Sequence, residues 1–383
     1  MQAEKVPLWR DSRLIKIAGQ IVVLAIVIMA IAWLGNNLLN NFRRLNLTFG
    51  FDFLSRAASF GIANPPIEYS PTDPYTRALV IGLLNSLKVM FFGIIIAGVL
   101  GISVGIGRLS DNWLVRKLAA AYVEILRNTP LLLQLFFWYF AVFLRLPKID
   151  RPLIVGDFLF LSNRGLDIPW LIINSRTGIA LAAIIGCILL AIAAWRKRNS
   201  AVEQGQNPQP WIWLVGGSAI AMLLLFLFGI DWAVPQLQNN SLTGGLNLSP
   251  EFATLLIGLG IYTSAFIAEV VRAGIQSVSQ GQWEAAKALG LKSSAMMQLV
   301  IFPQALRVMI PPLTSEFLNL AKNSSLAIAV GYSDIYAIGS TISNQTGKSV
   351  EVLLIVMTVY LAINLIISFM MNRLNSSVQL KER

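Results

Sequence analysis

Lys322 and the three polar residues that follow it stand inside an apolar run of this 383-residue chain, in the stretch LAKNSSLA. A charged side chain deep inside a run that spans a membrane costs about 2.5–3.5 kcal/mol on insertion scales, so it needs a partner or a function. The ammonium of Lys322, together with Asn323, Ser324 and Ser325, could bind a carboxylate ligand. The alternative is structural: polar contact between helices, or an ion pair with a carboxylate of a partner chain.

A second polar group lies in the stretch EILRNTPLLLQ. Pro130 predicts the start of a helix with Asn128 or Thr129 as its N-cap, and the positive end of such a helix attracts anionic groups. Gln134, about one turn further on, is a candidate lining residue of the same site. We interpret Arg127 as structural, either reaching the membrane interface or pairing with the glutamate three residues before it.

Glu269 is a third candidate, near the end of another apolar run, and Arg272 follows it three residues later. Residues at this spacing lie on the same face of a helix, so the pair predicts an ion bridge. If the ligand is a cation, Glu269 becomes its expected binding residue instead.

Several kinds of chemistry have no residues to carry them. The chain has no histidine and one cysteine, Cys187, which lies in an apolar run, so a disulfide within the chain is impossible. A zinc or haem site and histidine-based acid–base catalysis are therefore not expected. The apolar runs also contain no paired carboxylates that a membrane enzyme could use. The net charge of +11 comes from short basic groups beside apolar runs, which is a topology signal and does not indicate a nucleic-acid partner.

The composition places most of the chain in lipid. Hydrophobic residues make up 56% of it and charged residues 13%, and the mean hydropathy is +0.66. Soluble domains carry nearly twice that charged fraction. Spanning runs need about 20 apolar residues. Eight such runs are present, at residues 17–39, 79–107, 118–144, 178–195, 211–230, 252–274, 306–330 and 352–372.

The eight runs predict an all-α integral membrane protein with both termini on one side. More lysines and arginines fall on the side of the termini than on the other, so the positive-inside rule favours an N-in, C-in orientation. The first run is long and no small-residue cleavage site follows it, so we interpret it as a retained anchor and not a signal peptide. The stretch RKRNSAVEQGQNPQP is expected to be a short flexible cytoplasmic linker.

The cytoplasmic segment QWEAAKALGLKSSAMMQLVIFPQ is too polar to cross a bilayer. Ser279 followed by Gln282 predicts a capping box, and Gly290 suits the left-handed residue that closes a helix. Ser293 or Ser294 could cap a second short helix that ends at Phe302, the residue before Pro303. Because a helix of about eight residues is marginal in water, the first one needs a surface to dock on. The alternative is a plain surface turn.

This segment resembles the EAA loop of ABC importer permeases, on Glu284, Ala285, Ala286 and Gly290 with an aliphatic pair and Pro303 after them. Three further stretches resemble the branch that imports polar and general L-amino acids. They are YTSAFIAEVVRAGIQSVSQGQWEAAKALGL, EILRNTPLLLQLFFWYF and AKNSSLAIAVGYSDIY.

The resemblance implies a type I permease with a five-helix core and a coupling role for Glu284, Ala285, Ala286 and Gly290. It also implies a second, non-identical permease, two ATPase subunits and an extracytoplasmic amino-acid-binding protein. No cofactor is expected on this chain, since ATP and magnesium would bind the ATPase. The expected location is the bacterial inner membrane, with a multi-pass topology.

The expected organisation is an N-terminal tail, helix and outer loop at 1–78, a type I transmembrane domain at 79–372 and a cytoplasmic tail at 373–383. An inserted helix pair at about 178–230 interrupts the domain. The expected function is the permease subunit of an ATP-driven amino-acid importer, not an enzyme. The stretch QTGKSV resembles the end of a nucleotide-binding loop, but Ile342 occupies the position where that loop has its first glycine. The alternative is a self-contained ion-coupled carrier or channel.

Overall fold

The computed structural model describes residues 12–44, 48–156, 158–204, 206–238 and 241–378, and they are mostly helical. The α-helices within these residues are α1 (Ser12–Arg44), α2 (Tyr75–Gly107), α3 (Trp113–Asn128), α4 (Leu131–Phe136), α5 (Ser175–Glu203), α6 (Gln209–Leu224), α7 (Pro250–Gln276), α8 (Gln280–Ala288), α9 (Ser293–Met296), α10 (Phe302–Asn323), α11 (Ile335–Thr346) and α12 (Ser349–Val378).

The helical membrane fold that the sequence predicts is confirmed. Seven helices of the described chain are long and apolar enough to cross a bilayer, and an eighth span results if the bent pair of α3 and the helix after it counts as one. That pair bends by 105° between residue 128 and residue 131, where the sequence predicts one run over 118–144. The N-in, C-in orientation stays a prediction.

The α2–α7 pair forms the centre of the bundle. Gly101 and Gly105 of α2 lie directly against α7, where an added Cβ at Gly105 would stand 2.8 Å from the carbonyl oxygen of Ala268. Small residues allow this close approach in lipid, where packing replaces the hydrophobic effect as the source of association. α2 ends and α10 begins at the end of the bundle that carries α8, called the α8 end below.

At the opposite end, the segment before α2 packs over α11. Phe53, Ala58 and Tyr75 are buried there with Ile338 and Ile342 of α11 in one apolar cluster. The backbone N–H of Gly50 donates to Glu351 of α12 at 3.1 Å, which fixes the chain that follows α1 to the start of the last span.

α5 and α6 form an antiparallel hairpin where the sequence predicts a helix pair. Short strands, which were not predicted, flank the hairpin at the opposite end of the bundle. The strands are β1 (Leu153–Val155), β2 (Leu159–Ser162), β3 (Gly165–Ile168), β4 (Trp170–Leu171), β5 (Trp232–Ala233), β6 (Gln236–Gln238), β7 (Ser241–Thr243) and β8 (Leu246–Leu248). One antiparallel sheet has the order β1-β2-β3-β8, and β4–β5 and β6–β7 form two further pairs.

The linker predicted between the hairpin helices is wrong for most of its length. α5 continues through RKRNSAVE to Glu203, so only the residues after it separate the two helices. Arginine, lysine, alanine and glutamate are good helix formers, and no glycine or proline occurs between Gly186 and residue 205.

Candidate functional site

α8 ends as the sequence predicts. Gly290 has φ +70° and follows the helix in the left-handed conformation, with the N–H of Leu291 donating to the carbonyl of Ala286 at 3.2 Å. Ser279 is the N-cap residue, but its side chain makes no capping hydrogen bond. The capping box is therefore wrong in its side-chain part, and the carbonyl of Ser279 accepts from the N–H of Gln282 at 3.0 Å.

One face of α8 is packed and the other is open. Ala286 is only 2% exposed and lies in an apolar cluster with Met296 and Ile301, which lead into α10. Gln304 of α10 donates its Nε2 to Oε1 of Gln282 at 3.1 Å. The opposite face leaves four side chains exposed, with Leu289 79% exposed, and these are Glu284, Ala285, Ala288 and Leu289.

The second short helix predicted after α8 is not a separate element. α9 passes through a π-helical segment, Met297–Ile301, directly into α10, and Pro303 lies in the first turn of α10. Because proline has no N–H to donate to a carbonyl one turn earlier, Pro303 removes one hydrogen bond from this continuous run, directly after the π-helical segment. Lys292 occupies the N-cap position of α9, and neither predicted serine caps it.

The break at Pro130 is confirmed, but its capping differs from the prediction. Pro130 is the N-cap position of α4 with no side-chain cap, and the Thr129 hydroxyl donates backwards to the carbonyl of Ile125 at 2.8 Å. Gln134 is 6% exposed, and its Nε2 donates to the carbonyls of Leu126 (2.9 Å) and Thr129 (3.0 Å). Gln134 therefore supplies donors to the end of α3 and holds the bend.

Asn128 and Glu269 come together at one cavity of about 440 Å³ near the α8 end. The guanidinium of Arg127 lies over the ring of Phe266 in the same cavity, 5.2 Å from its centroid. The remaining lining residues are Arg108, Ala120, Val123 and Glu124.

Glu269 forms the ion pair with Arg272 that its spacing predicts. It also accepts a hydrogen bond from Arg108, which the sequence analysis missed. The only sequence signal for that contact is an arginine directly after the end of a predicted span.

Lys322 lies on the last turn of α10, where a 3₁₀ segment, Ser324–Val330, replaces the α-helix. Its side chain is exposed and forms no ion pair with the described part of the chain. Ser324 is buried and its hydroxyl donates to the carbonyl of Ala321, while the Ser325 hydroxyl donates to the carbonyl of Lys322. Lys322 and Ser325 line a second cavity of about 460 Å³ with Tyr336, Leu353, Val356, Met357, Tyr360, Leu361 and Asn364.

Polar residues recur along α10 at helical spacing, and all of them are at least partly exposed. They are Ser315, Glu316, Asn319, Lys322 and Asn323. Residues three and four apart share a face, so this row runs along the helix towards the α8 end. The sequence predicted Lys322 and Asn323 as candidate binding residues, but the row that they continue becomes visible only on the helix.

The structure brings the predicted residues together in two groups but does not assign them a ligand. Asn128 and Glu269 share the first cavity, Lys322 and Ser325 share the second, and Gln134 lies in the protein interior. Among the described residues, no group of three or more histidine, cysteine, aspartate or glutamate side chains could hold a metal ion.

Comparison with known proteins defines the class. Residues 209–380 match the family model described as the binding-protein-dependent transport system inner membrane component. The chain is 44% identical to the putative amino-acid ABC transporter permease protein YhdX of Escherichia coli (strain K12), covering 95% of this chain and 94% of that protein.

Two further relatives agree over nearly the full length. The general L-amino acid transport system permease protein AapQ of Rhizobium johnstonii is 42% identical, over 97% of this chain and 94% of that protein. The glutamate/glutamine/aspartate/asparagine transport system permease protein BztB of Rhodobacter capsulatus is 40% identical, over 97% and 96%.

The chain belongs to the family of binding-protein-dependent ABC transport permeases. The predicted family and its amino-acid branch are confirmed, and so is a multi-pass protein of the bacterial inner membrane. The matches favour a subunit of an ABC transporter complex over a self-contained carrier or channel.

Proposed function

We propose that this chain is one of two membrane halves of an ATP-driven amino-acid importer, and that α8 is its contact with an ATPase. The observation that carries the proposal is the open face of α8, where Ala285, Ala288 and Leu289 are exposed at the end of the bundle. Apolar residues on a short helix outside the spans need a partner surface. Small alanine side chains would allow that partner to approach closely.

The ATPase would bind and hydrolyse the nucleotide, with ATP and magnesium held there and not on this chain. The stretch QTGKSV lacks the first loop glycine, and its Gly347 ends α11 in the left-handed conformation. Two ATPase copies, a second permease and an extracytoplasmic binding protein complete the proposed assembly. ATP binding would shift the population of conformations through contacts that differ between the two states at α8.

The amino acid would pass along the polar row of α10. Lys322 would bind its carboxylate, because the ammonium is exposed and forms no ion pair within the described residues. The first cavity offers Asn128 and a mixture of cationic and anionic side chains towards the α8 end. Relatives named for general L-amino acids, and for glutamate, glutamine, aspartate and asparagine, support an amino-acid substrate.

Reconstitution into vesicles tests this assignment. The permease pair, a separately purified ATPase and the binding protein are combined, and ATP hydrolysis and amino-acid uptake are measured together. Hydrolysis that rises with loaded binding protein, and uptake that requires ATP, are expected. Accumulation of amino acid by the permease chain without any ATPase would show a self-contained carrier and end the proposal.

A further inference from the structure

Glu269 is held by arginines from two helices. Its Oε2 accepts from Nη1 of Arg108, the residue that follows the last residue of α2, and its Oε1 accepts from Nε of Arg272 at 3.2 Å. Nη1 of Arg272 also donates a hydrogen bond to Oε1 of Gln276, the last residue of α7. A carboxylate bound by two guanidinium groups makes charge-assisted hydrogen bonds, which are about twice as strong as neutral ones.

The bridge lies close to the proposed coupling helix. α7 ends at Gln276 and α8 begins at Gln280, so only residues 277–279 separate them. This link is itself tied to α7, because the Ser277 hydroxyl donates to the carbonyl of Gly274 at 2.8 Å. A displacement of α8 is therefore passed along the chain to the last turns of α7.

α8 also touches α10, through the buried Ala286 and through the hydrogen bond from Gln304. Two routes thus lead from α8 into the bundle. The route through α7 can move α2 as well only if the two helices stay together at the α8 end. Gly101 and Gly105 bring the two helices into contact as far as Val271, and Arg108 and Glu269 add an ion pair at the same level, about two turns before α7 ends. Helix ends fray easily, and the contacts of Arg272 with Glu269 and Gln276 extend this tie to the last residue of α7.

We propose that Arg108 and Glu269 are positioning residues that make α2 and α7 move as one unit when α8 is displaced. The inference rests on the proposed coupling role of α8. The bridge leaves the docking of the ATPase unaffected and acts after it, in the transfer of the α8 displacement to the spans. Loss of the bridge therefore separates ATP hydrolysis from transport.

The test measures the ratio of amino acid transported to ATP hydrolysed in the assembled transporter. Arg108→Gln is expected to retain the ATPase on co-purification but to lower this ratio about tenfold, a typical size for coupling between sites. Arg108→Lys keeps a cation beside the Oε2 of Glu269 and is expected to restore most of it. The double variant Arg108→Gln/Glu269→Gln is expected to lose no more than Glu269→Gln alone, because Glu269→Gln already removes the carboxylate that Arg108 binds.

Arg176→Gln is the matched control. Arg176 pairs with Asp231 at 3.0 Å at the opposite end of the bundle, so its loss is expected to leave the ratio unchanged. An unchanged ratio in Arg108→Gln would overturn the inference. Loss of the ATPase from both Arg108→Gln and Arg108→Lys would also overturn it, because the role would then be structural. If α8 does not couple at all, the unsubstituted chain itself will fail to retain or stimulate the ATPase, which distinguishes the two failures.

Discussion

Substitution of Gly290 separates backbone strain from contact with a partner. Gly290 has φ +70°, and a Cβ added there meets no atom of the chain within 4 Å. A residue with a side chain costs about 1–2 kcal/mol in the left-handed conformation. Strain alone thus lowers the population of the left-handed turn that ends α8 roughly 5–30-fold. No steric clash with the described residues adds to this cost.

Gly347 provides the matched position. It has φ +68° and equally open surroundings, and it ends α11 at the opposite end of the bundle. Gly290→Leu and Gly347→Leu therefore carry the same strain. Gly290→Leu is expected to abolish uptake, because the added side chain blocks the ATPase surface, whereas Gly347→Leu keeps uptake near the parent level. Gly290→Asn is expected to be intermediate, since asparagine tolerates this conformation.

The assay is ATP-dependent amino-acid uptake, divided by the amount of permease in the membrane. Equal loss of uptake in the two leucine variants would show that strain, and not a partner, explains the effect. Normal uptake in Gly290→Leu would remove the coupling assignment altogether.

Three further changes test the packing and the polar sites. Gly105→Ala brings a Cβ within 2.8 Å of a backbone oxygen, so it is expected to cost about 1–3 kcal/mol and lower the Tm in detergent, while Gly98→Ala meets open space and should not. Gln134→Leu leaves two carbonyls at the bend without a donor, at about 1–3 kcal/mol, which faster hydrogen exchange around residue 130 would report. Lys322→Gln is expected to raise KM for uptake about tenfold with unchanged protein level, and an unchanged KM would exclude the ammonium as the carboxylate ligand.

Local sequence patterns predicted what depends on neighbours in the chain. Hydropathy located the spans because the apolar requirement of a bilayer is met residue by residue. The left-handed Gly290 and the pair of Glu269 with Arg272 were also predictable, since each involves residues a few positions apart.

Contacts between distant residues were not predictable in this way. Arg108 and Glu269 are 161 positions apart, and only the packing of α2 on α7 brings them together. The strands around the α5–α6 hairpin are two to four residues long, too short for an alternating pattern to stand out. Pro303 suggested a helix end, yet the helical run continues through it, directly after a π-helical segment.

Crosslinking from Leu289 to the ATPase tests directly whether α8 is the contact between the two subunits. With Cys187→Ala as background, Leu289→Cys places the only thiol on the open face of α8, where the native side chain is 79% exposed. Ile173→Cys, at a position 90% exposed near the opposite end, is the control. We expect a permease–ATPase product from position 289 and none from position 173. No product from position 289 in the assembled transporter would contradict it.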